Sequence, residues 1–395
     1  MSTLFPAKSL LIALGIVGVL GTWGRTALDG STELLTKVLD DPNGQLPGTQ
    51  VLLQRTFTGI RIPIDHIIST LVVFWYEVVD GSHPSSTAVA LYFLGQLLPC
   101  LVIAYTNAQR GSKPSLLRPT LWLTLFQICS LGVTGWIWAF SYITSAPTVP
   151  HSKVSVVGSF ELLQRASTVS TPGLVKQLLL PAILLGYLIP AALMGVFSAH
   201  PASTAHQSII GAWNMYPFLV YPILYCLSPS ASPAVATTGP KAHLHAIRAA
   251  NIPALIISVA FHFSILGVSL STVLFPSIFT PAHRAELHPS AIFVPPLALP
   301  PATTPGDGVQ GFLLWDELIA YLVVLVVVAL ELQGAWSTVF QSRGRVFRWS
   351  WFLPVACGSS LLLGPGTTCL LISWLRDEIL FGPWFDMKEG KKAVE

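Results

Sequence analysis

Long apolar runs alternate with short polar connections along most of the chain. Most of the runs have about the twenty residues with which an α-helix crosses a bilayer. They lie at 9–22, 60–79, 86–106, 119–143, 174–197, 208–227, 250–277, 311–332 and 350–375. Because several connections are short, we expect sequential helices to be antiparallel neighbours. The pattern predicts an all-α fold, a polytopic membrane helix bundle with eight or nine transmembrane helices.

The composition agrees with a membrane protein. Of the 395 residues, 52% are hydrophobic and only 10% are charged, whereas a soluble domain has about a quarter of its residues charged. The net charge of +3 is small and the basic residues are scattered, which argues against a nucleic-acid partner. The expected surroundings are the lipid bilayer, and the sequence does not indicate an oligomeric state.

The domain organisation follows from the same pattern, with residues 1–395 forming a single transmembrane domain. Residues 1–24 are a first helix or a signal anchor, and we favour a retained helix because no clear small-x-small cleavage site follows. Residues 25–58 contain several charges and a turn, which indicates a polar segment between helices. Residues 278–310 contain seven prolines, which predicts a long loop.

A first group of acids lies where the second apolar run ends. Glu77 and Asp80 are three residues apart, so on a helix both lie on one face, beside the aromatic side chains of Trp75 and Tyr76. Carboxylates at the edge of hydrocarbon are costly and usually have a partner or a function. Two interpretations stay open: hydrated acids in the interfacial layer, or acids of a functional site.

A second group of acids begins the most hydrophobic run. Asp316 and Glu317 are adjacent, so they point about 100° apart on a helix. We therefore expect at most one to face the bundle centre and the other to reach the membrane interface. Glu331 lies fifteen residues further on, which is about 22 Å along a helix axis, so it belongs near the opposite membrane face.

Two polar residues inside apolar runs complete the candidates. His262 fits a hydrogen-bonded histidine that joins two helices and fits a proton shuttle about as well. Gln96 is better explained as a group that joins helices. The chain also has 12 Trp and 20 Phe, and such rings either form an interface belt or stabilise a cation in a buried cleft.

Several classes of membrane enzyme are excluded by missing motifs. The sequence has no paired Asp-rich motifs for Mg²⁺ and diphosphate, no histidine boxes, and no Ser-His-Asp, Cys-His or phosphate-loop signature. Its five cysteines lie in apolar runs without metal-ligand spacing. We expect no metal and no cofactor. What remains is a set of carboxylates near aromatic side chains, which suits acid chemistry on a small hydrophobic substrate.

Three short motifs give the chain a family resemblance. They are Asp-Gly-Ser-His-Pro at 80–84, Phe-Leu-Gly-Gln at 93–96 and Phe-Leu-Leu-Trp-Asp at 312–316. With these motifs the chain resembles fungal integral-membrane terpene cyclases of the ascochlorin, ascofuranone and macrophorin meroterpenoid pathways. The resemblance implies a role in secondary metabolism: a metal-independent cyclase acting on a farnesyl chain attached to an aromatic or polyketide-derived head, usually after epoxidation. It also implies residence in the endoplasmic reticulum.

The resemblance further implies a mechanism. A buried carboxylic acid protonates the epoxide or alkene, rings close through carbocations shielded by aromatic side chains, and a proton is lost. Such an acid must stay neutral near neutral pH, which an apolar environment favours. One of Asp80 and Asp316 would be the donor and the other its hydrogen-bond partner or the group that orients the substrate, with Glu77 as the substitute. The candidate substrate-binding residues are Trp75, Tyr76, Phe93, Gln96, Trp315 and His262.

Two other classes of function stay open at this stage. A proton-coupled transporter or a membrane receptor would use the same acids to bind a cation or carry protons. A non-catalytic membrane scaffold would only place them in the interface. The sequence does not give the substrate, the ring pattern, the stereochemistry or the side of the membrane on which a cavity opens.

Overall fold

The chain is helical. The computed structural model describes residues 4–197, 203–227 and 239–382, which contain helices, two isolated β-bridges and no strand. The helices of the first half are α1 (Leu4–Val19), α2 (Ser31–Asp40), α3 (His66–Val79), α4 (Pro84–Ala108), α5 (Leu117–Cys129), α6 (Leu131–Ser145), α7 (Phe160–Ser167) and α8 (Pro172–Phe197). Those of the second half are α9 (Thr204–Asn214), α10 (Tyr216–Leu227), α11 (Pro240–Leu274), α12 (Pro281–Glu286), α13 (Pro289–Phe293), α14 (Asp307–Phe340), α15 (Trp349–Leu363) and α16 (Pro365–Phe381). The predicted all-α class is confirmed.

Several helices have irregular turns or begin at a proline. Helix α1 continues through a π-helical turn to Asp29, and α8 contains two such turns. Helices α4, α11 and α16 each start with a proline, which is favoured there because the first N–H of a helix has no intrahelical partner. The same preference begins α12 and α13, so the proline-rich segment 278–310 contains two short helices.

Six helices of the described ranges are long and apolar enough to cross a membrane, and a seventh crossing is added if α9 and α10, bent by 66°, form one span. The six are Pro6–Asp29, Ile62–Val79, Pro84–Ala108, Pro172–Phe197, Pro240–Leu274 and Asp307–Arg343. A polytopic membrane bundle is therefore supported, while the count of eight or nine is not confirmed.

Two apolar runs that suggested single helices are broken. The run 119–143 contains α5 and α6, separated at Ser130, whose φ is 78°. The run 350–375 contains α15 and α16, separated at Gly364, whose φ is 95°. A left-handed backbone stops a helix at one residue, and a single residue hardly changes the hydrophobicity of a twenty-residue window.

Helix α14 is the centre of the bundle. It packs against α1, α4, α6 and α16, and 22 of its 34 residues are buried. In α11, by contrast, 11 of 35 residues are buried, as expected of a helix with one face toward lipid. Most side chains on α14 therefore point into protein, and this places the candidate site.

Candidate active site

An apolar cavity with about 900 Å³ of open space lies beside α14. We call it the aromatic cavity, because seven of its lining residues are aromatic: Trp23, Phe74, Trp75, Phe93, Phe126, Tyr216 and Phe312. They come from the end of the first helix and from α3, α4, α5, α10 and α14. Among the lining residues in the described part of the chain, Asp316 is the only one with a carboxyl group.

The rings of the aromatic cavity support one another. Phe312 meets both Trp23 and Phe74 edge to face, with ring centroids 5.1 Å apart in each pair. Trp75 meets Trp213 in the same way at 4.9 Å. Edge-to-face pairs are a favourable arrangement of aromatic quadrupoles. The aromatic side chains thus hold one another in place by their own contacts.

Asp316 belongs to α14, and its side chain lies against the start of α6. The first N–H groups of a helix have no intrahelical partner. Asp316 Oδ1 accepts hydrogen bonds from Ser130 Oγ (2.9 Å) and from the backbone N–H of Gly132 (2.6 Å). A β-carbon at position 132 would lie 3.0 Å from that oxygen, so glycine permits the close approach. The other oxygen, Oδ2, has no hydrogen-bond partner among the residues that the structure describes.

The donors to Asp316 are neutral. Within the described ranges, the carboxyl group of Asp316 is in no ion pair. Asp377, equally buried, is held by the Arg110 guanidinium at 2.7 Å. A carboxylate paired in that way has its charge committed to the fold. Asp316 is instead 5% exposed and has one oxygen available beside a cavity.

Glu77 and Asp80 lie at the end of α3, outside the aromatic cavity. Glu77 is buried, and its Oε2 accepts a hydrogen bond from the N–H of Gly306 at 2.5 Å, next to the start of α14. Asp80 is half-buried and accepts hydrogen bonds from the backbone N–H (2.8 Å) and hydroxyl (2.6 Å) of Ser82. In the described part of the chain Asp80 and Asp316 share no hydrogen bond, so the structure does not bring these two candidate acids together.

Two predicted substrate-binding residues, Trp75 and Phe93, line the aromatic cavity. Both also line a neighbouring apolar cavity of about 800 Å³. Tyr76 and Trp315 line neither cavity. Tyr76 is buried against the ring of His206, and the Trp315 indole N–H donates to the carbonyl of Pro296 (3.2 Å), which anchors the proline-rich segment.

Gln96 and His262 join helices. Gln96 Oε1 accepts from the backbone N–H groups of Gly366 (3.1 Å) and Thr367 (3.3 Å) at the start of α16, while its Nε2 donates to a carbonyl of α11. His262 Nδ1 lies 3.1 Å from the hydroxyl of Tyr92, which connects α11 with α4. The helix-joining role considered for His262 has a contact to support it, while the proton shuttle stays a prediction.

The expectation for Glu317 is wrong. Glu317 does not reach an interface: it is 6% exposed, and its Oε1 is buried without a hydrogen-bond partner in the described residues. The reason is that neighbouring helices cover the two faces of α14 on which Asp316 and Glu317 lie, so these adjacent side chains, about 100° apart, both point into protein. Glu331 is buried as well, hydrogen-bonded to Tyr142 (2.6 Å) and Thr148 (2.8 Å), and does not line the aromatic cavity.

Sequence reasoning missed several residues of the site. Ser130 and Gly132 carry the hydrogen bonds to Asp316, but in the sequence they are two small residues within an apolar run. Trp23 and Tyr216 come from distant helices, and nothing in the sequence distinguishes them from other aromatic residues. Within the described ranges no group of three or more His, Cys, Asp or Glu residues lies close enough together to hold a metal ion.

Comparisons with known proteins return fungal terpene cyclases. The chain is 28% identical over 215 residues to terpene cyclase ctvD of Aspergillus terreus, a match that covers 53% of the chain and only 57% of that protein. It is 23% identical over 382 residues to terpene cyclase penA of Penicillium crustosum, covering 93% of the chain and 94% of penA. It is 22% identical over 348 residues to terpene cyclase ascI of Acremonium egyptiacum, covering 85% and 82%.

No solved structure matches the chain. The profile of the CtvD domain family matches residues 7–381, which is nearly the whole sequence. The predicted resemblance to fungal meroterpenoid terpene cyclases is thereby confirmed. This chain belongs to the CtvD domain family.

Proposed function

We propose that this protein is a membrane-bound terpene cyclase in which Asp316 protonates a prenylated substrate held in the aromatic cavity. The observation that carries the proposal is the position of Asp316. It has the single carboxyl group among the described residues that line the cavity, and seven of those residues are aromatic. Relatives named terpene cyclases support the reaction class.

The substrate that fits best is a farnesyl chain on an aromatic or polyketide-derived head, or its terminal epoxide. The lining of the aromatic cavity is mainly apolar, as is usual for small-molecule sites. An isoprenoid chain gains free energy by leaving water for such walls. The family resemblance supports this substrate class, and the lining supports a hydrocarbon chain.

The geometry around Asp316 suits a proton donor. In the neutral acid, Oδ1 is the carbonyl oxygen that accepts from Ser130 and Gly132, and Oδ2 carries the proton toward the cavity. Transfer of that proton to the epoxide oxygen or alkene carbon leaves a carboxylate. The two hydrogen bonds strengthen as negative charge develops on the carboxyl group, which lowers the barrier to transfer.

The aromatic walls suit the rest of the reaction. Opening of the epoxide, or protonation of the alkene, creates a carbocation that neighbouring double bonds attack in turn. Ring faces of Trp and Phe stabilise a cation electrostatically without reacting with it as a base would. The last cation then loses a proton, and return of a proton to the Asp316 carboxylate restores the acid, so the product has the same mass as the substrate.

Glu77 and Asp80 receive a different role. Neither carboxyl group lines the aromatic cavity. Because they accept hydrogen bonds from Gly306 and Ser82 at a distance from it, we assign them to fixing the turn after α3 and the start of α14. The donor role therefore goes to Asp316, and neither Glu77 nor Asp80 is needed to hold the proton.

Two finer features remain part of the proposal. Eight or nine crossings require the broken pairs α5–α6 and α15–α16 each to cross the membrane, as two half-helices joined at Ser130 and at Gly364. Residence in the endoplasmic reticulum fits a fungal membrane enzyme of this kind. Glycosylation sites or single cysteines engineered into successive connections would test both by their accessibility from the lumen.

The test of the function is a conversion assay. Microsomes containing the protein are incubated with a farnesylated phenol or its terminal epoxide, with and without EDTA, and products are identified by mass and NMR. The proposal predicts cyclic isomers of unchanged mass. The proposal would be overturned if folded protein converted neither substrate but supported proton-coupled flux of a solute across the membrane of reconstituted vesicles. That result would indicate a transporter.

A further inference from the structure

A second, polar cavity lies at the other end of the bundle. Four basic side chains line it: Arg110, Lys113, Arg118 and Arg165. We call it the basic hollow. Among the described residues no Asp or Glu lines it. Concentration of one sign of charge around a concave surface attracts ions of the opposite sign.

The four cations are not equivalent. Arg110 is committed to the fold, because its guanidinium forms two hydrogen bonds with Asp377, at 2.9 Å and 2.7 Å, and a third with Asn107 Oδ1 at 2.8 Å. Lys113, Arg118 and Arg165 are exposed. Their side chains are in no ion pair or hydrogen bond within the part of the chain that the structure describes. Three positive charges thus remain unneutralised around one hollow.

The wall of the basic hollow also has an unused hydrogen-bond donor. Asn107 lines it, and Asn107 Oδ1 accepts a hydrogen bond from Arg110, so the unused donor is its amide nitrogen. That nitrogen is buried and has no acceptor in the described ranges. Buried polar groups are normally paired, so this nitrogen is available to an acceptor if the wall adjusts, and the three exposed cations favour an oxyanion in the hollow.

An apolar groove continues from the basic hollow along α5. It is lined by Ser115, Leu117, Arg118, Leu121, Trp122 and Leu125. Arg118 lines both the groove and the hollow. The three leucines follow one another at helical spacing and are exposed by 50%, 54% and 37%, which forms an apolar stripe on the outside of the bundle.

We propose that the basic hollow and the apolar groove together bind an anionic phospholipid. The phosphate of the headgroup lies among Lys113, Arg118 and Arg165, and an acyl chain lies along the leucines of α5. Basic side chains beside a membrane helix attract anionic lipid headgroups. The hollow and the groove meet at Arg118. One phospholipid molecule, with its headgroup joined to its acyl chains, can therefore occupy both.

This lipid site is separate from the site of cyclisation. Tyr142, which lines the basic hollow, is hydrogen-bonded to Glu331. Glu331 is fifteen residues from Asp316 on the same helix, which is about 22 Å along its axis. A substrate that reacts at Asp316 therefore does not place its reacting end in the basic hollow.

The experiment compares the wild-type protein with the triple variant Lys113→Gln/Arg118→Gln/Arg165→Gln in phosphatidylcholine nanodiscs. Phosphatidate is titrated as the anionic probe, and binding is followed by native mass spectrometry. We expect the triple variant to bind phosphatidate about a hundredfold more weakly. The matched control is Lys241→Gln/Arg343→Gln/Arg345→Gln, which removes three exposed charges outside the basic hollow and should bind as the wild type does.

A second arm separates a lipid from a free phosphate compound. Glycerol 3-phosphate has the phosphate but no acyl chain, and we expect it to compete with phosphatidate at least tenfold more weakly than a soluble short-chain phosphatidate does. Equal competition would show that a free phosphate occupies the hollow and would overturn the lipid assignment. Equal phosphatidate binding by the wild type and the triple variant would overturn the site. If the triple variant does not fold, the three single variants decide, each with about fivefold weaker binding expected.

Discussion

Two helix breaks in this protein are stabilised in the same way. In each, a side chain from another helix accepts a hydrogen bond from at least one of the first N–H groups of the helix that follows the break. At Gly364, the first N–H groups of α16 are bound by Gln96 from α4. At Ser130, the Gly132 N–H of α6 is bound by Asp316 from α14. Both side chains are buried, yet only Asp316 lines the aromatic cavity.

The comparison separates structure from chemistry. A neutral amide is sufficient to close a break in this bundle, as Gln96 demonstrates, because the helix start needs only an acceptor oxygen. A carboxyl group at position 316 therefore offers something that the fold does not require. What distinguishes a carboxylic acid from an amide is a proton that it can give away, and Asp316 lines a cavity whose walls are mainly apolar.

The largest effect on turnover is expected from a substitution of Asp316. Asp316→Asn keeps the acceptor oxygen for Ser130 and Gly132 but removes the acid, so we expect turnover to fall by about 10²–10⁴-fold with little change in thermal stability. Product formation and the thermal unfolding midpoint in detergent are measured on the same preparation. Full turnover by a folded Asp316→Asn variant would remove Asp316 from the donor role.

The second prediction concerns the other break. Gln96→Leu leaves the N–H groups of Gly366 and Thr367 buried without an acceptor, which should lower the free energy of unfolding by about 1–3 kcal/mol. We expect the products made by the surviving folded protein to be unchanged, because Gln96 does not line the aromatic cavity. Thermal unfolding and product analysis check it, and an altered ring pattern without loss of stability would contradict the structural role.

A smaller effect on turnover is expected when one of the neutral hydrogen-bond donors to Asp316 is removed. Ser130→Ala removes one hydrogen bond to Asp316 Oδ1 while the bond from Gly132 stays. Loss of about 1 kcal/mol of stabilisation of the developing carboxylate corresponds to roughly fivefold slower turnover, at a nearly unchanged KM. Steady-state kinetics distinguishes this from a binding defect, in which KM rises and kcat stays constant. Ser130→Thr, which keeps the hydroxyl, is the matched control.

The smallest effect is expected at the other candidate acid. Asp80→Asn can still accept the hydrogen bonds of Ser82, and Asp80 lies outside the aromatic cavity. Turnover should therefore change by no more than about twofold. A loss as large as that of Asp316→Asn, in a folded Asp80→Asn variant, would show that the proton comes from the turn after α3.

The helices were largely predictable because twenty-residue apolar runs are a property of the sequence alone. The breaks at Ser130 and Gly364 were not, since each depends on the backbone of one residue and on a side chain more than 180 positions away. Asp316 was predictable as a candidate because a carboxyl group is rare inside an apolar run. Its hydrogen bonds, the aromatic wall formed with Trp23 and the burial of Glu317 depend on packing around α14, which local patterns do not contain.

The proton-donor role of Asp316 is tested most directly by measuring whether its carboxyl group is protonated in the resting protein. The infrared carbonyl band of neutral carboxylic acids reports this. The difference spectrum of wild type minus Asp316→Asn is recorded at neutral pH, with Asp80→Asn as the control. If Asp316 is the proton donor, we expect a neutral-acid band that is absent from Asp316→Asn and retained in Asp80→Asn. A carboxylate band at Asp316, with no neutral-acid band lost in the Asp316→Asn variant, would contradict its role as the proton donor.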